Sequence, residues 1–161
     1  MLLNKGAEVN SKDIGGRTPL SLAVSSNRGR TPLSWAVCGY NDWAIAKLLL
    51  DSGADVNADG NSGRTPLSWA AAKGNFSVTR VLLDSENINI NLKDIKPRWS
   101  PLFMATVKGH MVVVRQLLEI GRADINARDN WGRTCLSLAA VNGREGIVSL
   151  HRREGKLNMV T

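Results

Sequence analysis

Apolar residues along this chain form pairs of short helix-like runs, and the pairs recur at a nearly constant spacing. In one pair, Leu67, Ala70 and Ala71 lie at positions i, i+3 and i+4, which places them on one face of a helix. The second run follows at residues 78–83, and a polar stretch rich in Gly, Asp and Asn at residues 51–59 precedes this pair. The pattern predicts a unit of helix, tight turn, helix and hairpin-like loop.

The first helix of each unit is predicted to begin at a recurring Thr-Pro or Ser-Pro step. Such steps, or a close variant, occur at Thr31, Thr65, Ser100 and Thr134, which are 34, 35 and 34 residues apart. A Thr or Ser side chain can cap the unpaired N–H groups of a helix, and proline is favoured at the first helical position. A fixed period in this range indicates an array of stacked repeats.

Three motifs carry a family resemblance. Residues 63–70 read Gly-Arg-Thr-Pro-Leu-Ser-Trp-Ala, residues 53–57 read Gly-Ala-Asp-Val-Asn, and residues 108–110 read Lys-Gly-His. In these motifs the chain resembles the ankyrin repeat family, which implies an all-α solenoid of stacked helix-turn-helix repeats with hairpin loops. The resemblance covers nearly all of residues 2–150. The sequence of the first motif is also similar to that of the long repeat arrays in large fungal NTPase sensor proteins of the NACHT type.

We expect a single ankyrin repeat domain over residues 1–161, with irregular ends. Thr18 opens another copy of the motif only 13 residues before Thr31. We therefore divide the chain into a truncated repeat at 1–28, repeats at 29–61, 62–95 and 96–129, and a truncated terminal repeat at 130–161. In that last repeat, His151 and Arg152 replace two leucines. The ends indicate either polar capping units, which such arrays require, or a fragment of a longer array.

Composition narrows the class of protein. The 161 residues are 43% hydrophobic and 22% charged, as in an ordinary folded domain. No membrane-spanning run or signal peptide is recognisable, so we expect an intracellular protein, cytoplasmic or nuclear. Cys38 and Cys135 are expected to be buried thiols rather than a disulfide. The net charge of +7 is spread along the chain, which makes nucleic acid a weaker candidate than protein as the partner.

Catalytic chemistry is poorly supported by the sequence. His110 and His151 belong to different units, and no Cys/His spacing is typical of zinc. No Gly-x-x-x-x-Gly-Lys-Ser/Thr loop is present to hold phosphates. We therefore predict no enzyme, no metal, no cofactor and no small-molecule substrate.

The resemblance implies that the hairpin tips and the exposed side of the first helices hold a partner. The residue before each capping Thr or Ser forms a series of basic and aromatic side chains, which are frequent interface anchors. In the alternative interpretation, each Arg covers a helix end or pairs with an aspartate such as Asp59 or Asp129. The candidate partner-binding residues are Arg30, Arg64, Trp99 and Arg133, with the tip residues Asn61, Ser62, Lys96 and Trp131.

The sequence favours a non-catalytic protein–protein interaction module, a monomeric scaffold or adaptor whose partner is acidic or mixed in charge. Two other functions stay open. The chain could be a structural segment of a larger multidomain signalling NTPase or effector, or its basic surface could bind nucleic acid. Nucleic-acid binding would show a steep dependence of affinity on salt.

Overall fold

A computed structural model describes residues 8–19 and 43–157, with side chains as far as Arg153. Seven helices and no strand occur in these residues, and one isolated antiparallel bridge joins Arg128 to Thr134. The all-α class is confirmed. In chain order the helices are α1 (Trp43–Asp51), α2 (Pro66–Lys73), α3 (Phe76–Leu83), α4 (Pro101–Lys108), α5 (Met111–Glu119), α6 (Cys135–Val141) and α7 (Glu145–Leu157).

The helices form two rows. The inner row is α2, α4 and α6, each packed on the next, and the outer row is α1, α3, α5 and α7. Each inner helix also packs on the outer helix that follows it in the chain. The core lies between the rows and between successive units, where Leu67, Leu82 and Val113 are fully buried. This is the predicted solenoid.

The predicted helix starts and ends are present. The side-chain oxygens of Thr65, Ser100 and Thr134 each accept a hydrogen bond from the N–H group of the third helical residue. Gly74 and Gly109 end α2 and α4 with φ of 70° and 80°, a left-handed conformation that costs a residue with a Cβ atom energy. The predicted start at Thr31 lies outside the described residues.

The outer helix of the terminal unit is the longest helix in the described residues. α7 has 13 residues and continues across His151 and Arg152. His151 is 2% exposed, and its Nδ1 lies 3.1 Å from the carbonyl oxygen of Ile147, while no described group bonds its Nε2. A histidine thus occupies a position that is leucine in the preceding outer helix.

The hairpin loops form a continuous edge. Backbone N–H groups of Asn61, Ile95 and Asn130 donate to carbonyl oxygens of the preceding loop at 3.2, 3.0 and 3.1 Å. The acceptor of the Asn61 bond is Gly15, so the loop before Thr18 lies beside the loop before Thr65. The loop before Thr31 lies outside the described residues, and the division of the chain at residues 28 and 29 stays a prediction.

Three asparagines cross-link successive loops. We call Asn10, Asn57 and Asn91 the asparagine ladder. Each side chain donates to one backbone carbonyl of the following loop and accepts from one N–H group there, over 2.7–3.2 Å. Asn126 holds the same place in the next loop, but no described group bonds its side chain. The ladder therefore fixes the spacing of the loops up to the terminal unit.

Replacing Asn91 by alanine should destabilise the array, because it leaves a backbone donor and acceptor of the next loop unpaired. Two hydrogen bonds correspond to about 1–3 kcal/mol of unfolding free energy. Asn126→Ala is the matched control and should change this free energy by less than about 0.5 kcal/mol. Urea unfolding at low protein concentration, followed by circular dichroism, measures both. Equal losses would contradict the ladder.

His151 should make the terminal unit sensitive to pH. Burial lowers the pKa of this imidazole below its usual 6.5, against a smaller opposing effect of the Ile147 carbonyl. The unfolded chain therefore binds a proton first, so stability falls as pH drops below about 6.5 and levels off below the lowered pKa. His151→Leu should flatten this part of the stability curve between pH 7 and 5. An unchanged curve in urea titrations would refute the assignment.

Candidate functional site

Trp99 and Arg133, two of the residues before the capping positions, lie on the loop edge, and their side chains bond the same buried aspartate. Arg133 donates from Nε to Asp129 Oδ2 at 2.8 Å, and Asp129 is 7% exposed. The indole N–H of Trp99, one unit earlier, donates to the same oxygen at 3.4 Å. One carboxylate therefore holds candidate residues of two units.

The charge of Asp129 is stabilised by its surroundings. Burial alone would raise the pKa of this carboxyl group. Hydrogen bonds from the Arg133 side chain, from the N–H groups of Arg133 and Trp131, and from Trp99 outweigh burial and hold the pKa below its usual value. Asp129 therefore stays ionised at neutral pH, and Arg133 carries the compensating charge.

Arg64 has a different partner from the one suggested by sequence proximity. Its Nε lies 3.6 Å from Oδ2 of Asp94 in the next unit, and its guanidinium carbon lies 4.9 Å above the ring of Trp69. Asp59, which the alternative interpretation offered as an example of an arginine's partner, is paired with a lysine instead: its Oδ1 lies 3.4 Å from Nζ of Lys12. Asp129 precedes Arg133 by four residues, whereas Asp59 precedes Arg64 by five. Asp59 therefore does not occupy the position from which Asp129 contacts its arginine.

Four predicted residues line one groove. Lys96 and Trp131 come from the tips of two loops, and Trp99 and Arg133 come from the ends of the same loops. Val107 of α4 and Leu138 of α6 lie among the inner-helix residues that line it, and its volume is about 510 Å³. The full lining is Lys96, Pro97, Trp99, Val107, Trp131, Arg133, Leu138 and Asn142. We call this cavity the groove.

The other candidate residues lie elsewhere. Asn61 bonds the preceding loop, through its side chain to the carbonyl of Ile14 at 3.2 Å and through its N–H to Gly15. Ser62 is exposed, and its carbonyl accepts from Ile95 in the next loop. Arg64 does not line the groove, and Arg30 lies outside the described residues.

Sequence reasoning missed two features of this edge. Arg17 occupies the same position as Arg133 and contacts Asp13, with its Nη2 2.7 Å from Oδ2. The shared spacing, Asp followed four residues later by Arg, could have revealed both pairs. Val107 of α4 and Asn142, which follows α6, were also missed, because no sequence motif marks which side chains of an inner helix face a neighbouring loop.

The described residues offer little reactive chemistry. They contain no cluster of His, Cys, Asp or Glu that could hold a metal ion. Cys135 is a free, buried thiol, and burial raises its pKa far above the usual value, which leaves it unreactive. None of the described helices combines the length and apolar character needed to cross a membrane.

A family model described as "Ankyrin repeats (3 copies)" matches residues 24–94 and again residues 93–151, which is more than half of the chain. The chain belongs to the ankyrin repeat family. Ankyrin repeats generally mediate protein–protein interaction, and the groove lies on the side of the inner helices and loop tips. No curated protein gives a significant match to this ankyrin chain as a whole.

Arg64→Ala should destabilise the ankyrin array, because Asp94 is buried and no described group bonds its Oδ2. Leaving a buried carboxylate without its nearby cation costs about 1–3 kcal/mol of unfolding free energy. Arg115→Ala, which removes an exposed arginine of α5, is the control and should be nearly neutral. Urea unfolding monitored by circular dichroism compares them. An equal effect of both variants would show that the Arg64–Asp94 pair contributes nothing.

Proposed function

We propose that this protein is a non-catalytic binding module whose groove holds a short acidic segment of another protein. The observation that carries the proposal is the composition of the groove. It brings two tryptophans, two cationic side chains and two aliphatic side chains together, and none of its lining residues carries a carboxylate. Such a surface favours a partner with acidic and apolar residues side by side.

The cations at the groove edge are available to a partner. Lys96 lines the groove, and Arg98 follows it in the same loop without lining the groove; both are exposed, and neither forms an ion pair with any described residue. Arg133 keeps a side-chain exposure of 43% despite its bond to Asp129. Arg98 has φ of 69°, the left-handed region that glycine occupies in the corresponding turns at Gly63 and Gly132. A non-glycine residue in this conformation costs energy and is frequent at binding sites.

The aromatic side chains are held in place before a partner arrives. The Trp131 ring is 66% exposed, and the guanidinium carbon of Arg133 lies 4.5 Å from the ring centre. Trp99 is held through its indole N–H by Asp129. Rings that are already ordered lose little entropy on binding, so they contribute more to affinity than mobile ones.

Random dodecapeptides displayed on phage and selected on the full chain provide the test. The selected sequences should combine Asp or Glu with a neighbouring apolar residue. In fluorescence anisotropy, Trp131→Ala should weaken binding of the best synthetic peptide at least about tenfold, because exposed tryptophans in grooves are frequent hot spots. Lys96→Glu should have an effect in the same direction on acidic peptides.

Phe76→Ala is the matched control. Phe76 is 56% exposed at the start of α3 and does not line the groove, so its removal should leave peptide affinity unchanged. Selected peptides without acidic residues, or equal binding by Trp131→Ala, would refute the proposal. A random-sequence DNA duplex should bind weakly at physiological salt. Tight binding of this duplex with a steep salt dependence would favour nucleic acid instead.

A further inference from the structure

In the terminal unit, the positions that contact the following unit elsewhere in the array have no such contact among the described residues. In the earlier units, the ring of His110 lies against Gly74, and the guanidinium of Arg144 lies against Gly109. Gly143 holds the same place after α6 and also has a positive φ, of 64°, but a Cβ atom built there meets no atom of the described residues within 4 Å.

The inner helices show the same difference. Leu67 of α2 and Leu102 of α4 follow the proline at the first helical position and are 0% and 2% exposed. Leu136 holds this position in α6 and is 38% exposed. Thr106 of α4 is fully buried, whereas Ala140, its counterpart in α6, is exposed. Leu136 and Ala140 are apolar residues suited to burial. Among the described residues, they lack the contact that the following inner helix supplies to their counterparts in α4.

The loops repeat the pattern. Ile95 of the next loop lies against Gly63, whereas Gly132, the corresponding turn glycine of the terminal unit, has no neighbour within 4 Å in the part of the chain that the structure describes. The side chain of Asn126 has no described partner, although Asn57 and Asn91 each bond the loop that follows. The terminal face is defined here as Asn126, Gly132, Leu136, Ala140 and Gly143.

The other end of the described array offers the complementary groups. Ile14 holds the position of Ile95 and is fully exposed, and no described acceptor bonds its N–H. The N–H of Glu8 holds the position of the Asp55 N–H, which donates to the ladder, and it too has no described acceptor. On the terminal face, Asn126 Oδ1 and the carbonyl of Trp131 hold the matching acceptor positions.

We propose that the terminal face binds the 8–17 loop of a second copy of this chain, in a head-to-tail stack. The contact continues the interface that already joins successive units within one chain. Ile14 of the second copy covers Gly132, its N–H donates to the carbonyl of Trp131, and Asn126 accepts from the N–H of Glu8. Because the two surfaces differ, each copy keeps one of each, and the association can extend beyond two chains.

The test is sedimentation equilibrium of the full chain from micromolar to submillimolar concentration. The average mass should rise with concentration and exceed that of a dimer at the upper end. Ile14→Asp blocks one surface and Ala140→Glu blocks the other, and both residues are exposed, so the fold should persist. Each variant alone should stay monomeric, since association needs one intact surface of each kind.

An equimolar mixture of the two blocked variants gives the decisive result. The intact terminal face of Ile14→Asp should bind the intact loop of Ala140→Glu, forming a one-to-one complex that does not grow further. Asn126→Ala should weaken association of the parent chain about fivefold, because the hydrogen bond from the Glu8 N–H is lost. Val112→Asp, at a side chain 58% exposed on α5, is the control and should associate like the parent.

A parent chain that stays monomeric throughout the concentration range, as the sequence alone led us to expect, would overturn the proposal. A mixture of blocked variants that remains monomeric while the parent associates would also overturn it, because the contact would then not be head-to-tail. Circular dichroism of each variant verifies that loss of association does not reflect loss of folding. Neither blocked residue lines the groove, so these results are independent of peptide binding.

Discussion

The burial of each inner helix against the adjacent helices determines the rest of this structure. α2 and α4 have eight residues and α6 has seven, and isolated helices of this length are unstable in water. Ala70, Ala105 and Ala139 are fully buried along the row, where small side chains allow the inner helices to approach closely. The caps and glycine ends fix where each helix starts and stops, but the free energy that keeps it folded comes from the adjacent units.

This stacking also builds the groove. Asp129 bonds Trp99 from one unit and Arg133 from the next, so the carboxylate that joins two loops also orients two side chains of the groove. The Arg64–Asp94 pair joins the preceding loops in the same way, without contributing to the groove. Arg64 and Arg133 thus each pair with a buried aspartate, the kind of contact that the alternative interpretation described. The chemistry left for a partner is that of Trp131, Lys96 and the outer part of Arg133.

Sequence predicted the features that depend on local rules. The helix starts at Thr65 and Ser100 and the glycine end at Gly74 follow from capping and backbone conformation, and the structure confirms them. The partner of Arg64 could not be predicted from the spacing. Gly60, which has no carboxylate, lies four residues before Arg64, where Asp129 lies before Arg133, and Asp59 lies one residue too early. The groove was only partly predictable, since its floor comes from α4 and α6 while its edge comes from two loops, and only stacking brings them together.

A stack of repeats differs from a closed fold because its last unit always exposes a further stacking surface. Each unit presents one surface to its predecessor and another to its successor, so the described array has an unmatched surface at each end. The terminal face lies close to the groove, because the indole of Trp131 lines the groove while its carbonyl lies at the terminal edge. If a second copy stacks there, its 8–17 loop lies beside Trp131 and places Arg17 on the same loop edge. Head-to-tail association would then lengthen the cationic and aromatic surface, so one acidic segment could contact two copies.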